Sequence, residues 1–253
     1  MGTWLTRGTR SVADFPGTWR TTLLRAAILL AVLGGIWPVL AASGGFAMHW
    51  LFAASGLFVL LGLCGRWNQP AFRIPFRLGL VACAAGDVLG PRNFHWGVAC
   101  FLLAHLAFCV GCLGHGVAWS RLLRWSPVIL AVSFGLVGLW LWPHLPERDR
   151  PLIVAYTAVI SVMAWLAAGL RPSALRPWLW TGAWIFYLSD IFVARWRFVD
   201  PSAANGLVCY PLYYLACTLL ARAVGRDLPP SSPPTSGVEE IGSHPESETA
   251  PPA

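Results

Sequence analysis

Apolar positions come in long runs along this chain, separated by short clusters of Arg, Pro and Gly. Eight such runs fill it from Thr22 to Val224, at about 22–42, 46–64, 76–90, 94–115, 125–142, 151–170, 175–195 and 205–224. A bilayer core of about 30 Å takes about 20 apolar residues in helical form, so these runs predict transmembrane helices. The third is short and hemmed between Pro75 and Gly90-Pro91, which makes it a candidate to stop inside the membrane. The first follows Arg20 and Arg25 and ends near the small-residue stretch "VLAAS", a layout shared with secretory signal peptides. Its apolar run exceeds the usual h-region of about 7–15 residues, and we read it as helix one.

Composition agrees with that pattern. Hydrophobic residues make up 57% of the 253, charged residues 11%, and mean hydropathy is +0.61. The predicted fold class is all-α, a polytopic integral membrane protein of about eight transmembrane helices. A basic N-terminal segment (1–21) precedes the eight-helix domain (22–226). The remaining residues, 227–253, are rich in Pro, Ser and Glu with little to bury, and predict a disordered tail.

Charge orients the helices. All 18 basic residues are Arg, and an eight-helix plan puts thirteen on the N-terminal side: Arg7, Arg10, Arg20, Arg25, Arg66, Arg73, Arg77, Arg121, Arg124, Arg171, Arg176, Arg222 and Arg226. Both termini are therefore expected in the cytoplasm, in a bacterial inner (cell) membrane. The net charge of +7 then reflects topology and contact with membrane lipids; without a basic stripe on a soluble domain it argues against a nucleic acid partner. Tryptophans near the predicted helix ends (Trp19, Trp67, Trp96, Trp125, Trp142, Trp178, Trp196) fit interfacial belts.

The seven cysteines all fall in apolar runs and read as packing residues, "CVGC" at 109–112 included. The histidines form neither an HxxxH nor an HExxH pair, so we expect no metal and no cofactor.

The acids carry more information. Nine of the eleven Asp and Glu residues lie in loops or termini, which leaves Asp87 in "CAAGDVLGPRNFHW" and Asp190 in "WIFYLSDIFVARW" within predicted helices. A charged side chain at the bilayer centre costs about 2.5–3.5 kcal/mol on insertion scales, so an intramembrane acid is a candidate functional residue. The structural alternative is a carboxyl bonded to a neighbouring helix or neutralised by arginine. Helices three and seven both run outward in the eight-helix plan, which puts both aspartates in the outer half. His105 lies near the midplane, and Tyr210, Tyr213 and Tyr214 lie close to the outer layer. Ala82, Gly86 and Gly90 form a small-residue ridge beside Asp87 that admits a close neighbour.

Four blocks resemble the YhhN-like lysoplasmalogenase family: "GD" at 86–87, "FLLAHLAF" at 101–108, "GAWIFYLSDIFVARWRF" at 182–198 and "YYLA" at 213–216. The resemblance spans helices three to eight and implies an eight-helix membrane enzyme. It implies a lysophospholipid substrate, a lysoplasmalogen, whose vinyl ether bond is cleaved to a fatty aldehyde and a glycerophospho-base. The family's two aspartates fall on Asp87 and Asp190. After the last block the family often carries Gln, where this chain has Cys217.

Vinyl ether cleavage suits two carboxyls. Protonating the β-carbon gives an oxocarbenium ion that water captures to a hemiacetal, which collapses to aldehyde and alcohol. The route needs a protonated acid, an anion to steady the cation, and a water. Apolar surroundings favour the neutral form of a carboxyl, and a second carboxylate nearby reinforces that preference. We assign Asp87 as proton donor and Asp190 as anion and water-positioning base, with the reverse assignment left open. Supporting candidates are Ser189 and Tyr187 around Asp190, with Tyr213, Tyr214 and Asn205 on helix eight. His105 is either a proton shuttle or a core histidine. Arg92 and Arg195, with Arg197, stand near the predicted outer mouth as candidates for a phosphate headgroup. The alternative function is a proton-coupled transporter of small molecules or lipids using the same aspartates, a class that inverted repeats would favour.

Overall fold

The computed structural model describes residues 17–33, 46–64 and 69–225. Among them the chain is all-helical, with no strand and a single isolated bridge between Val117 and Leu170. We label the helices α1 (Gly17–Leu33), α2 (Phe46–Leu63), α3 (Pro70–Leu89), α4 (Phe94–His115), α5 (Trp119–Ala131), α6 (Arg150–Ala168), α7 (Arg176–Ala194) and α8 (Ala204–Gly225). A π-helical stretch (Val132–Gly138) and two short turns carry α5 on to His144, and a second π stretch (Arg195–Val199) extends α7. By length and composition, four described segments can cross a membrane: Phe94–His115, Ser126–His144, Glu147–Ala168 and Ala204–Gly225. Residues 1–16 of the N-terminal segment and the tail expected after Asp227 lie outside the described residues, whereas residues 17–21 already belong to α1.

Local chemistry accounts for the helix starts. Pro70, Pro151 and Pro177 each stand in a first turn, where a missing N–H costs nothing. Asn93 caps α4, its side chain accepting from the amides of His95 (2.9 Å) and Trp96 (3.3 Å).

The third apolar run corrects the sequence reading. It is not short: α3 is a 20-residue helix that starts at Pro70 and runs through Pro75. Pro75 cannot donate to the carbonyl four residues back, that of Ala71. The backbone of Gly114 on α4 packs against that carbonyl so closely that a Cβ there would stand 2.1 Å from its oxygen. A neighbouring helix thus covers the group that proline leaves over.

Starting α3 early also draws into the bundle two arginines that the orientation argument had counted on its N-terminal side. Arg73 and Arg77 are buried on α3. Arg73 donates to the carbonyl of Val224 at the end of α8, and Arg77 to that of Gly62 at the end of α2 (3.0 Å). Helix C-termini present carbonyls without intrahelical donors and a partial negative charge, so each guanidinium serves as a cap.

Two helix pairs dominate the packing, α3 with α4 and α7 with α8, and α8 also meets α1, α2 and α3. Where α3 and α4 cross near Gly90 and Gly97, a Cβ on Gly97 would stand 2.6 Å from the Cα of Gly90. Only glycine allows that approach, and it fixes the end of α3 on which Asp87 stands. In contrast, α5 packs on α6 and scarcely touches α7 along most of its length.

Candidate active site

The α3–α4, α5–α6 and α7–α8 connections lie at one end of the bundle, and a cavity of about 630 Å³ opens among them. Asp87 and Asp190 both line it. Its walls are otherwise largely apolar, with Val98 and Phe101 from α4, Ile153 and Ile160 from α6, and Ile191 from α7.

Each carboxyl has its own donors. Asp87, 9% exposed, accepts at Oδ2 from the hydroxyls of Ser55 (2.5 Å) and Tyr213 (2.8 Å). Both bonds fall on one oxygen, which leaves Oδ1 as the atom able to carry a proton. Asp190, 14% exposed, accepts at Oδ2 from Tyr156 (2.5 Å). The Ser189 hydroxyl donates to the Phe186 carbonyl at 2.7 Å and stands 3.5 Å from Asp190 Oδ1. It has one proton to give, so the shorter bond takes it. Each phenol thus orients one carboxyl; a hydrogen bond to a carboxyl in its charged form is worth about 1.5–3 kcal/mol.

His105 is fully buried, with Nε2 3.8 Å from Asp190 Oδ2. That is an ion-pair separation, longer than a hydrogen bond. The ring packs edge-on against Tyr156 (5.3 Å between centroids) and Phe186 (4.7 Å). Phe186 in turn meets Tyr213 at 5.4 Å. A buried phenylalanine therefore separates the His105–Asp190 group from the Tyr213–Asp87 group.

Not every sequence candidate reaches the carboxyls. Tyr187 lines the cavity, but its buried hydroxyl makes no hydrogen bond, with Asp190 or otherwise. Tyr214 is buried beside Phe58, Tyr210 and Tyr213 and does not line the cavity. Asn205 accepts from Arg195 (2.6 Å) and donates to the Asp200 carbonyl (2.8 Å), tying the α7–α8 connection. Arg195 also pairs with Asp200 at 2.9 Å. Arg92 turns back to the Val88 carbonyl (2.6 Å) and caps α3. Arg197 is the arginine that lines the cavity: its guanidinium lies 4.6 Å over the Phe94 ring, with no carboxylate partner among the described residues.

Two hydroxyl donors escaped sequence reasoning. Tyr156 and Ser55 stand in apolar runs with no motif around them, and only the fold brings them to the aspartates. A tyrosine inside an apolar helix was the signal available, since a buried phenol seeks a partner. Among the described residues no group of three His, Cys, Asp or Glu side chains lies together as metal ligands would.

The comparisons with known proteins agree with the family resemblance. The model of the YhhN family matches residues 48–224. The chain is similar to human lysoplasmalogenase TMEM86A, with 32% identity over 184 residues, 68% of this chain and 71% of the relative. Lysoplasmalogenase TMEM86B of Sus scrofa is 31% identical over 149 residues, 58% of this chain and 62% of its own length. Lysoplasmalogenase TMEM86A of Bos taurus is 30% identical over 184 residues, with coverage of 68% and 71%. No solved structure matches.

Proposed function

The chain belongs to the YhhN family, and on that premise we propose that it hydrolyses the vinyl ether bond of a lysoplasmalogen-type lysolipid by aspartate acid–base catalysis. The observation that carries the proposal is the meeting of Asp87 and Asp190 in one apolar-walled cavity, each held by a phenol from another helix.

Asp87 is the acid. With Oδ2 occupied by Ser55 and Tyr213, its proton sits on Oδ1 and is delivered to the β-carbon of the alkenyl group. The electron pair of the double bond forms the new C–H bond, and the ether oxygen shares the resulting positive charge. Asp190, fixed through Oδ2 by Tyr156, steadies that oxocarbenium ion and accepts a proton from the water that attacks the α-carbon. The hemiacetal then collapses: its hydroxyl proton returns to Asp87 as the carbonyl forms, and Asp190 passes the water's proton to the ether oxygen, which leaves as the glycerol hydroxyl. One water is consumed, and one aldehyde and one alcohol are formed. Arg197 at the mouth faces the phosphate of the headgroup.

We further read all eight helices as membrane spans, with both termini cytoplasmic and the cavity opening on the outer face. Residues 1–21 and 227–253 flank this domain. Reporter fusions after Gln69 and Arg226 then report cytoplasmic, and one at Gly44 external.

The test is fatty aldehyde release from a vinyl ether lysolipid by the purified protein in detergent. Aldehyde in stoichiometry with glycerophospho-base supports hydrolysis. Uptake of lipid or solute into proteoliposomes, dependent on a proton gradient and without aldehyde, establishes the transporter instead.

A further inference from the structure

We propose that the groove between α5 and α7 holds the aliphatic chain of a single-chain phospholipid whose reacting end lies between Asp87 and Asp190. The inference rests on the lysolipid reading above and adds the route by which the chain reaches the site.

The groove has a volume of about 700 Å³. Val128, Ile129 and Val132 line one side and Trp184 and Phe192 the other; Ser133, Tyr187 and Arg195 are its polar residues. It adjoins the reaction cavity, with Val137, Tyr187 and Ile191 bordering both spaces. Toward the mouth the gap is closed: Leu141, Leu145 and Ile153 form a cluster with Trp140, Phe198 and Val199. Farther in, α5 scarcely touches α7, and a Cβ on Gly135 or Gly138 would meet nothing within 4 Å.

The direction of the chain follows from chemistry. The ether oxygen joins the glycerol on one side and the aliphatic chain on the other. With the phosphate at Arg197, the glycerol occupies the space between the mouth and the aspartates, so the chain continues away from the mouth. Straight ahead the interior is filled by Ala104, Phe108 and Phe186, all fully buried. Sideways the apolar groove leads from Tyr187 and Ile191 to the lipid-facing surface of the bundle. A chain lying there stays in apolar surroundings along its whole length, and one aliphatic chain fills the groove without a second.

Photolabelling tests this. The probe is a saturated 1-O-alkyl lysophosphatidylcholine with a diazirine near its chain end, which lacks the vinyl ether and is not cleaved by this route. Labelled positions are mapped by mass spectrometry with and without excess unlabelled 1-O-alkyl lysophosphatidylcholine. The expected label falls on Val128–Val132 and Trp184–Phe192 and is lost to the competitor, and Val132→Trp removes most of it. Competed label on α4 or α6 instead, label on α5 and α7 that the competitor leaves in place, or no label there at all overturns the inference. Where Val132→Trp fails to fold, the wild-type map alone decides. Groove labelling without aldehyde release from a vinyl ether substrate retains the groove and overturns the hydrolase; aldehyde release without groove labelling does the reverse.

Discussion

Helices α3 and α4 meet backbone to backbone, whereas α5 rests on one neighbour and leaves space beside another. In the first region Gly90, Gly97 and Gly114 let the chains approach until no side chain fits between them. In the second, Gly135 and Gly138 face nothing, and the helix loosens into a π-helical stretch. The glycines are the same residue in opposite service. A carboxyl that must meet a particular carbon needs a fixed support, and a lipid chain that must come and go needs a yielding one.

That contrast can be broken most forcefully at the acids. Asp87→Asn and Asp190→Asn keep volume and hydrogen-bonding capacity while removing the exchangeable proton or the charge. Each is expected to lower aldehyde turnover by roughly 10²–10⁴-fold, the range for a positioned acid or base. The double variant should cost little beyond the worse single one, as for groups acting as a unit. Near-wild-type turnover from both well-folded single variants would remove the catalytic pair and leave two structural carboxyls.

Next in size is the rigid region. Gly97→Val places a Cβ against the Gly90 backbone, and overpacking of this kind costs about 1–3 kcal/mol. We expect a lower midpoint in thermal unfolding in detergent and a matching loss of turnover. An unchanged midpoint means that α3 and α4 are not held as closely as described.

Tyr156→Phe removes one hydrogen bond from Asp190 and keeps the ring against His105. A bond to a charged group is worth about 1.5–3 kcal/mol, so kcat should fall by about tenfold or more with KM little changed. A rise in KM alone assigns Tyr156 to substrate contact rather than to holding Asp190.

The smallest effect belongs to the loose region. Gly138→Ala meets no neighbour, and alanine is favoured over glycine in a helix by up to about 1 kcal/mol. Unfolding should therefore shift slightly upward, and a marked destabilisation shows that α5 is packed after all.

Much of this was legible in the chain. The run at 94–115 is the helix α4 observed, because Asn93 marks its start and the apolar stretch ends at His115-Gly116. Asp87 and Asp190 stood out by subtraction, since an apolar chain retains few acids in its helices. The start of α3 was hidden because Pro75 reads as a break in one dimension, and only Gly114 on another helix shows how its cost is met. Arg73 and Arg77 counted only as orientation charges, because the carbonyls they cap belong to other helices. The roles of Tyr156 and Ser55 depend on which helix faces which, and a single hydroxyl in an apolar run does not encode that.

The Tyr213 donor to Asp87 and the carbonyl clasped by Arg73 both belong to α8, the last of the described helices. α8 also meets α1, α2 and α3, so the opening and closing parts of the chain complete one another. During synthesis, Asp87 leaves the ribosome more than a hundred residues before the phenol that will hold it, since Tyr213 follows it by 126 positions. The hydrogen bonds around Asp87 are thus completed only once α8 has been made. A chain arrested before α8 would lack both the Tyr213 bond to Asp87 and the carbonyl that Arg73 caps.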